Sequence, residues 1–250
     1  MKPLIIIAGP CVVENEKITM QIAEKLKEIS LKLPIDLIFK ASYRKANRTS
    51  GTAFQGIGDD AALTILLKVW KELELKTTTD IHSANEADMV AAHVDILQIP
   101  AFLCRQTDLL VAAAKTGLPI NIKKGQFMSA EDMIHAVMKI ASIESDKRVV
   151  MITERGNSFG YNDVVVDMRN IQPLQAMSDK VFVDITHTNG GHPVQSFALA
   201  RAAVAAGADG IFLETHPDPS KALSDGKNMI PLNEVEGLLK QLKRIREAMV

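Results

Sequence analysis

The densest chemistry in this sequence lies between Lys40 and Ser50. There Lys40, Arg44, Lys45 and Arg48 place four cations in nine residues, interleaved with Ser42, Asn47, Thr49 and Ser50. Such a segment suits a multiply anionic ligand. Arg48 can hold a phosphate through two parallel N–H bonds, whereas Lys40 and Lys45 act as point charges. Beside Lys40, Lys45 and Arg48, the candidates include Lys123 and Arg155, which follow two further apolar runs, and Arg105 as a sixth. Six such cations match about two phosphates and a carboxylate, each phosphate carrying roughly −1.5 to −2 near neutral pH. The rival reading is a solvated basic loop. Lys40 and Lys123 argue against it, because each caps an apolar run where burial without an anion is costly.

A second group is Cys11, His187, Glu214 and Asp225, each at or just beyond the end of an apolar run. A thiolate, an imidazole and two carboxylates suit a first-row divalent ion such as Zn²⁺, Fe²⁺ or Mn²⁺. Ca²⁺ and Mg²⁺ prefer oxygen alone. The spacing is long-range, so no local motif carries it, and the rival reading has Cys11 as a small buried hydrophobe. His82 and His216 fall near other run ends without an assigned role. His93, His135 and Cys104 read as structural or surface residues.

These residues need elements to position them. Eight short apolar runs, at Ile5–Ile7, Leu37–Phe39, Lys76–Thr79, Ile96–Leu97, Ile120–Ile122, Val149–Thr153, Val181–Val183 and Ile211–Leu213, each end in a polar or charged residue. Helical patterns separate them, which is the signature of repeated βα units and a parallel sheet. The first spaces Ile18, Ile22, Leu26 and Ile29 at helical intervals and stops at Pro34; a second covers Asp59–Leu73 and a third Ser83–His93. Others are expected at Arg105–Thr116, Ser129–Ser142, Val164–Met177, from about Val194 to Gly207, and from Pro231 onward. Eight strands with intervening helices predict an α/β fold, a (β/α)₈ TIM barrel, in which all eight endings meet at the rim that carries active sites. An open doubly wound sheet usually shows a glycine-rich first turn; here that turn is Ala8-Gly9-Pro10-Cys11, whose proline removes an N–H.

The bulk properties fit one soluble catalytic domain over residues 1–250. The chain is 47% hydrophobic and 24% charged with net charge −1, so no general basic field recruits nucleic acid or an anionic membrane. Two cysteines are too few for a disulfide framework and point to a reducing, cytoplasmic compartment. The apolar run after Met1-Lys2-Pro3 has the outline of a signal peptide but breaks at Gly9-Pro10, too early for one.

Several motifs, taken in order, resemble the 3-deoxy-D-manno-octulosonate 8-phosphate synthase family. They are Ala8-Gly-Pro-Cys-Val-Val-Glu14, Lys45-Ala-Asn-Arg48, Leu97-Gln-Ile-Pro-Ala-Phe102, Asn121-Ile-Lys-Lys-Gly-Gln-Phe127, Thr153-Glu-Arg-Gly156, Phe159-Gly-Tyr-Asn162, Asp184-Ile-Thr-His187 and Leu213-Glu-Thr-His-Pro217 with Ala222-Leu-Ser-Asp225. The resemblance implies a barrel enzyme, usually tetrameric and cytoplasmic. It condenses phosphoenolpyruvate with D-arabinose 5-phosphate and water, and its product feeds the inner core of lipopolysaccharide. It further implies that Lys123 and Arg155 bind the phosphoenolpyruvate phosphate, with Lys40 and Lys45 near its carboxylate. Asn47, Arg48 and Thr49 would hold the aldose phosphate, and Arg105 would reach it from a neighbouring subunit. Cys11, His187, Glu214 and Asp225 coincide with the ligands of the metal-dependent branch; the metal-independent branch has Asn at the place of Cys11. The implied catalytic set is Cys11, Lys45, Asn47, His187 and Asp225.

Two departures stand out. The segment Thr188-Asn-Gly-Gly-His192 after His187 is shorter than the family's usual covering loop. Tyr43-Arg44 and Thr49–Gly56 differ from the usual flanks, and Ala53-Phe-Gln-Gly56 leans toward the related 3-deoxy-D-arabino-heptulosonate 7-phosphate synthases, which use erythrose 4-phosphate. Lys45-Ala-Asn-Arg48 points the other way, since that relative typically carries Lys-Pro-Arg-Thr there. A non-catalytic sugar-phosphate sensor is a third reading.

Overall fold

The computed structural model describes residues 3–143, 149–161 and 163–249. Its barrel strands are β1 (Leu4–Gly9), β2 (Ile35–Lys40), β3 (Lys76–Asp80), β4 (Ile96–Ile99), β5 (Ile120–Lys123), β6 (Val150–Glu154), β7 (Lys180–Asp184) and β8 (Gly210–His216). Each of the eight expected runs falls on one of them. All neighbours pair in parallel in sequence order, and β8 returns to β1 with Gly9 opposite Glu214. The sheet is therefore closed, and the barrel expectation holds.

Eight helices follow the strands in turn: α1 (Glu16–Lys32), α2 (Asp59–Leu73), α3 (Ala87–Ala91), α4 (Thr107–Lys115), α5 (Met133–Ala141), α6 (Ile171–Met177), α7 (Pro193–Ala205) and α8 (Leu232–Ala248). Asn15 starts α1 by accepting from the Ile18 N–H at 2.9 Å. The helix then buries Ile22, Ala23, Leu26 and Ile29 against the sheet. A large core between strands and helices and a second one inside the barrel result. The inner core stacks Ile7, Ile38, Ile96, Met151, Phe182 and Phe212, the side-chain filling that makes such a barrel a packed body rather than a pore.

Three helical expectations need correcting. Ser83–His93 opens with a 3₁₀ turn over Ala84–Glu86 before α3. Ser129 does accept a backbone N–H, from Asp132 at 3.1 Å, but one turn ahead of α5. The stretch from Val164 is not helical at its start: Asp163–Val165 pairs antiparallel with Asn157–Phe159. Val164, Val165 and Val166 are β-branched and favour that strand. Pro173 is tolerated only in a helix's first turn, so α6 begins just before it.

Candidate active site

The carboxyl ends of the strands enclose a cavity of about 330 Å³. Gly9 lets two of these ends meet, because a side-chain carbon there would lie 2.0 Å from the Lys40 carbonyl. Lys40 is almost wholly buried and donates to Ser42 Oγ at 2.9 Å, with Glu214 Oε1 at 3.4 Å and Asp80 Oδ1 at 3.8 Å. Lys45 Nζ donates to the same Ser42 hydroxyl at 2.9 Å, so one buried serine fixes the separation of two ammonium groups. Across the cavity Lys123 pairs with Asp184 Oδ2 at 2.7 Å and rests 3.5 Å above the Phe212 ring. Burial pulls the Lys123 ammonium below its ordinary value, with Asp184 opposing. Phe212 of the inner core thus lies beneath two of the cavity's ammonium groups, Lys123 and, at 5.6 Å, Lys40. Asn47, Arg48 and Arg155 line its wall.

Six buried polar atoms on the lining residues have no hydrogen-bond partner among the described residues: Arg48 Nε, Arg155 Nε, Asp80 Oδ1, His82 Nδ1, Gln98 Oε1 and Glu214 Oε2. Buried polar groups are rarely left so. On both arginines it is the Nε donor that is left over, as expected where an anion binds, although Arg48 NH1 also reaches Asp225.

The metal-capable residues also come together. Ligand atoms of Cys11, Glu214 and Asp225 lie within 4.8 Å of one another. Cys11 Sγ is 3.2 Å from Asp225 Oδ2 and 2.9 Å from Ser224 Oγ. His187 stands beside this trio, its Nε2 3.5 Å from Glu214 Oε2. Its Nδ1 faces Asp184 Oδ2 at 2.8 Å, which leaves Nε2 as the free lone pair, the usual arrangement of a metal-binding imidazole. Burial, reinforced by Glu214, pushes the Cys11 thiol up to about 12, against the pull of Lys45. A bound cation reverses that balance. With Glu214 Oε2 orphaned and a thiol, an imidazole and carboxylates converging, these residues fit a divalent transition metal. Asp225 takes a left-handed backbone conformation (φ 50°) in the β8–α8 loop, turning its carboxylate between Cys11 and Arg48 NH1, 3.3 Å away.

Behind the cation loop lies a network that composition and motifs did not reveal. Glu86 accepts from the Tyr43 hydroxyl at 2.5 Å, from the His82 N–H at 2.8 Å, from Arg44 and from Ser83. Arg44 also reaches Asp59 at 2.8 Å, and His82 Nε2 reaches Asp80 Oδ2 at 3.0 Å. The unusual flank Tyr43-Arg44 therefore anchors the loop from below. A second hidden pair is Lys124 with Glu154, both fully buried and 3.3 Å apart. Lys124 also bonds Met128 O and Asn157 Oδ1, and Glu154 bonds the Gly156 N–H, so the pair grips both sides of Arg155. Asp184, Asp80 and Gln98 had a strand-end signal that was available; Glu86 had none.

Other expected residues lie elsewhere. Thr49 is exposed and outside the cavity lining. Arg105 is also exposed; it borders a separate hollow of about 290 Å³ with His135 and Lys139. His93 bonds the Met89 carbonyl, His216 is buried 3.7 Å from Glu14, and Cys104 is buried. Asn162 lies outside the described residues.

No helix among the described residues is long and apolar enough to cross a membrane. The model of the DAHP synthetase I family matches residues 2–250. The 2-dehydro-3-deoxyphosphooctonate aldolases of Citrifermentans bemidjiense and Geobacter metallireducens are each 50% identical over 254 residues, covering 98% of this chain and 92% and 93% of theirs. The enzyme of that name from Methylibium petroleiphilum is 47% identical over 258 residues, covering 98% of this chain and 90% of its own. A closed barrel with a cationic mouth, matched from end to end by one family, leads to one statement: the chain belongs to the DAHP synthetase I family.

Proposed function

We propose that this enzyme joins phosphoenolpyruvate to D-arabinose 5-phosphate and water, giving 3-deoxy-D-manno-octulosonate 8-phosphate and inorganic phosphate. The relatives' name, 2-dehydro-3-deoxyphosphooctonate aldolase, is another name for that synthase. The observation that carries the reading is the cavity itself: five cations and two orphaned guanidinium nitrogens face a cluster of metal-capable ligands. A heptulosonate synthase is the alternative. The Ala53–Gly56 segment that favours it lies outside the cavity lining and serves the loop, where Lys45 N–H donates to Gln55 O at 2.7 Å.

In this reading Lys123 and Arg155 hold the phosphate of phosphoenolpyruvate, and Lys40 and Lys45 its carboxylate. Asn47, Arg48 and Thr49 hold the aldose phosphate, and Arg105 of a neighbouring subunit completes that site. C3 of phosphoenolpyruvate attacks the aldehyde carbon, and the carbonyl oxygen takes a proton to become a hydroxyl. Water adds at C2, and the C2–O bond to phosphate then breaks. The fixed cations align both substrates and face the charge that develops. Cys11, His187, Glu214 and Asp225 would hold the metal, which when bound supplies Lewis-acid polarisation of the aldehyde or activation of water. Asn47 and the metal ligands Cys11, His187 and Asp225 complete the catalytic set with Lys45. Zn²⁺, Fe²⁺ and Mn²⁺ all suit these ligands.

The wider assignment is a one-domain cytoplasmic transferase, assembled as a homotetramer, in lipopolysaccharide inner-core synthesis. Arabinose 5-phosphate and erythrose 4-phosphate offered in parallel, with phosphate release measured, test the reaction. The octulosonate reading expects a kcat/KM at least tenfold higher for arabinose 5-phosphate. Preference for erythrose 4-phosphate would establish the heptulosonate synthase, and binding without phosphate release would establish a sensor.

A further inference from the structure

Asp184 lies between the two halves of the mouth. Its Oδ2 accepts from Lys123 Nζ at 2.7 Å and from His187 Nδ1 at 2.8 Å, and no other donor reaches that oxygen among the described residues. The other oxygen, Oδ1, is held by the backbone N–H groups of Thr186 and His187, each at 3.0 Å, and by the Thr186 hydroxyl at 3.3 Å. Asp184 is completely buried at the end of β7, so the carboxylate can neither swing away nor turn to water. Lys123 can move only within the mouth, because Phe212 closes its other side.

We infer that Asp184 is a positioning residue that couples anion binding at Lys123 to metal binding at His187 through this one shared oxygen. The inference rests on the site roles proposed above. A phosphate that engages the Lys123 ammonium draws it from Oδ2. The negative charge released there falls on the remaining partner, the His187 Nδ1–H. A stronger hydrogen bond at Nδ1 makes Nε2 a better donor to a metal, the usual effect of a carboxylate behind a metal-binding imidazole. Anion and metal therefore favour one another, and the effect is reciprocal by thermodynamic necessity. In chemical terms, the metal side is tuned for use when the phosphate side is filled.

The test measures Mn²⁺ affinity by calorimetry with and without saturating inorganic phosphate, corrected for Mn²⁺ complexed in solution, in the wild-type protein and Asp184→Asn. Phosphate should tighten Mn²⁺ binding about 5- to 50-fold in the wild type, within the usual span of coupling between sites. Asp184→Asn should weaken Mn²⁺ about 10- to 100-fold, and phosphate should then tighten it less than about 3-fold. Direct attraction between ion and phosphate acts in both proteins, so the difference between their coupling factors is decisive. An equal factor in Asp184→Asn overturns the inference while leaving the site roles standing. A wild-type protein that binds neither Mn²⁺ nor phosphate overturns both. Circular dichroism checks the variant's fold. If it does not fold, the metal-free wild type carries the test: the ¹⁵N-bound His187 Nδ1 proton should move downfield as phosphate saturates, and an unmoved resonance overturns the inference.

Discussion

At the scale of single residues, the buried carboxylates decide how firmly the cations are held. Glu86 shows the sign of the effect. Burial disfavours its charge, but bonds from Ser83, Tyr43 and the His82 N–H outweigh that and bring it down to about 2 from an ordinary 4.5. A carboxylate depressed on folding stabilises the native state above its unfolded pKa and loses that contribution as pH falls toward the folded one. Glu86 should therefore contribute fully above about pH 4.5 and progressively less down to about 2. Glu86→Gln should cost about 1.5–3 kcal/mol at neutral pH, the worth of a hydrogen bond to a charged group. Urea denaturation at a series of pH values checks this, and the gap between the two proteins must close on acidification. Arg155 makes a different prediction. Its Nε is buried and has no partner among the described residues, so a bound phosphate is its natural acceptor. Lysine cannot reproduce the planar fork, and Arg155→Lys should lower kcat/KM for phosphoenolpyruvate roughly 10- to 100-fold. Steady-state kinetics should place most of that loss in KM.

At the scale of elements, what the sequence made legible was what a local pattern can carry. All eight barrel strands were readable from apolar runs, and α2 was readable to its ends, Asp59 and Leu73. The chain from Val164 to Met177 was not, because a β-branched start and a proline in the helix's first turn sit inside a seemingly helical spacing. The site was legible where chemistry coincides with a strand end, as at Lys40, Lys123 and Glu214. It was opaque where a residue acts by pairing across the fold: nothing near Glu154 in sequence announces Lys124. That pair is nevertheless a structural clamp on the segment carrying Arg155. Lys124→Met leaves Glu154 fully buried and without its cation. Removing one partner of a buried pair typically costs about 3–5 kcal/mol, whereas replacing both is often near neutral. Lys124→Met should thus be severely destabilised in chemical denaturation, and Lys124→Met with Glu154→Leu should recover much of the loss. A double variant no more stable than the single one would show that the hydrogen bonds to Gly156 and Asn170, not the ion pair, matter most.

At the scale of the whole molecule, the mouth of one chain is open on two sides. A second hollow of about 560 Å³ lies beside His187 and Asp225, lined by Gly190 and Gly191 of the segment Thr188–His192 and by Gly226. Phe102 and Phe127 are more than half exposed, and Arg105 lies outside its own chain's cavity lining. In the proposed reading Arg105 holds the aldose phosphate of another subunit, which accords with its lying outside its own chain's cavity lining. That arrangement has a consequence no single-chain reading shares. Arg105→Ala should be impaired because every site lacks the incoming arginine, although each chain keeps its own intact mouth. His187→Ala should be impaired because every mouth lacks a metal ligand, although each chain still offers Arg105. Subunits of the two variants, mixed under conditions that allow exchange, form assemblies in which an intact mouth receives an intact arginine. Activity should then rise above that of either variant alone, with the gain dependent on protein concentration. A mixture that shows only the average of its components would place Arg105 outside the reaction altogether, or within its own chain's site.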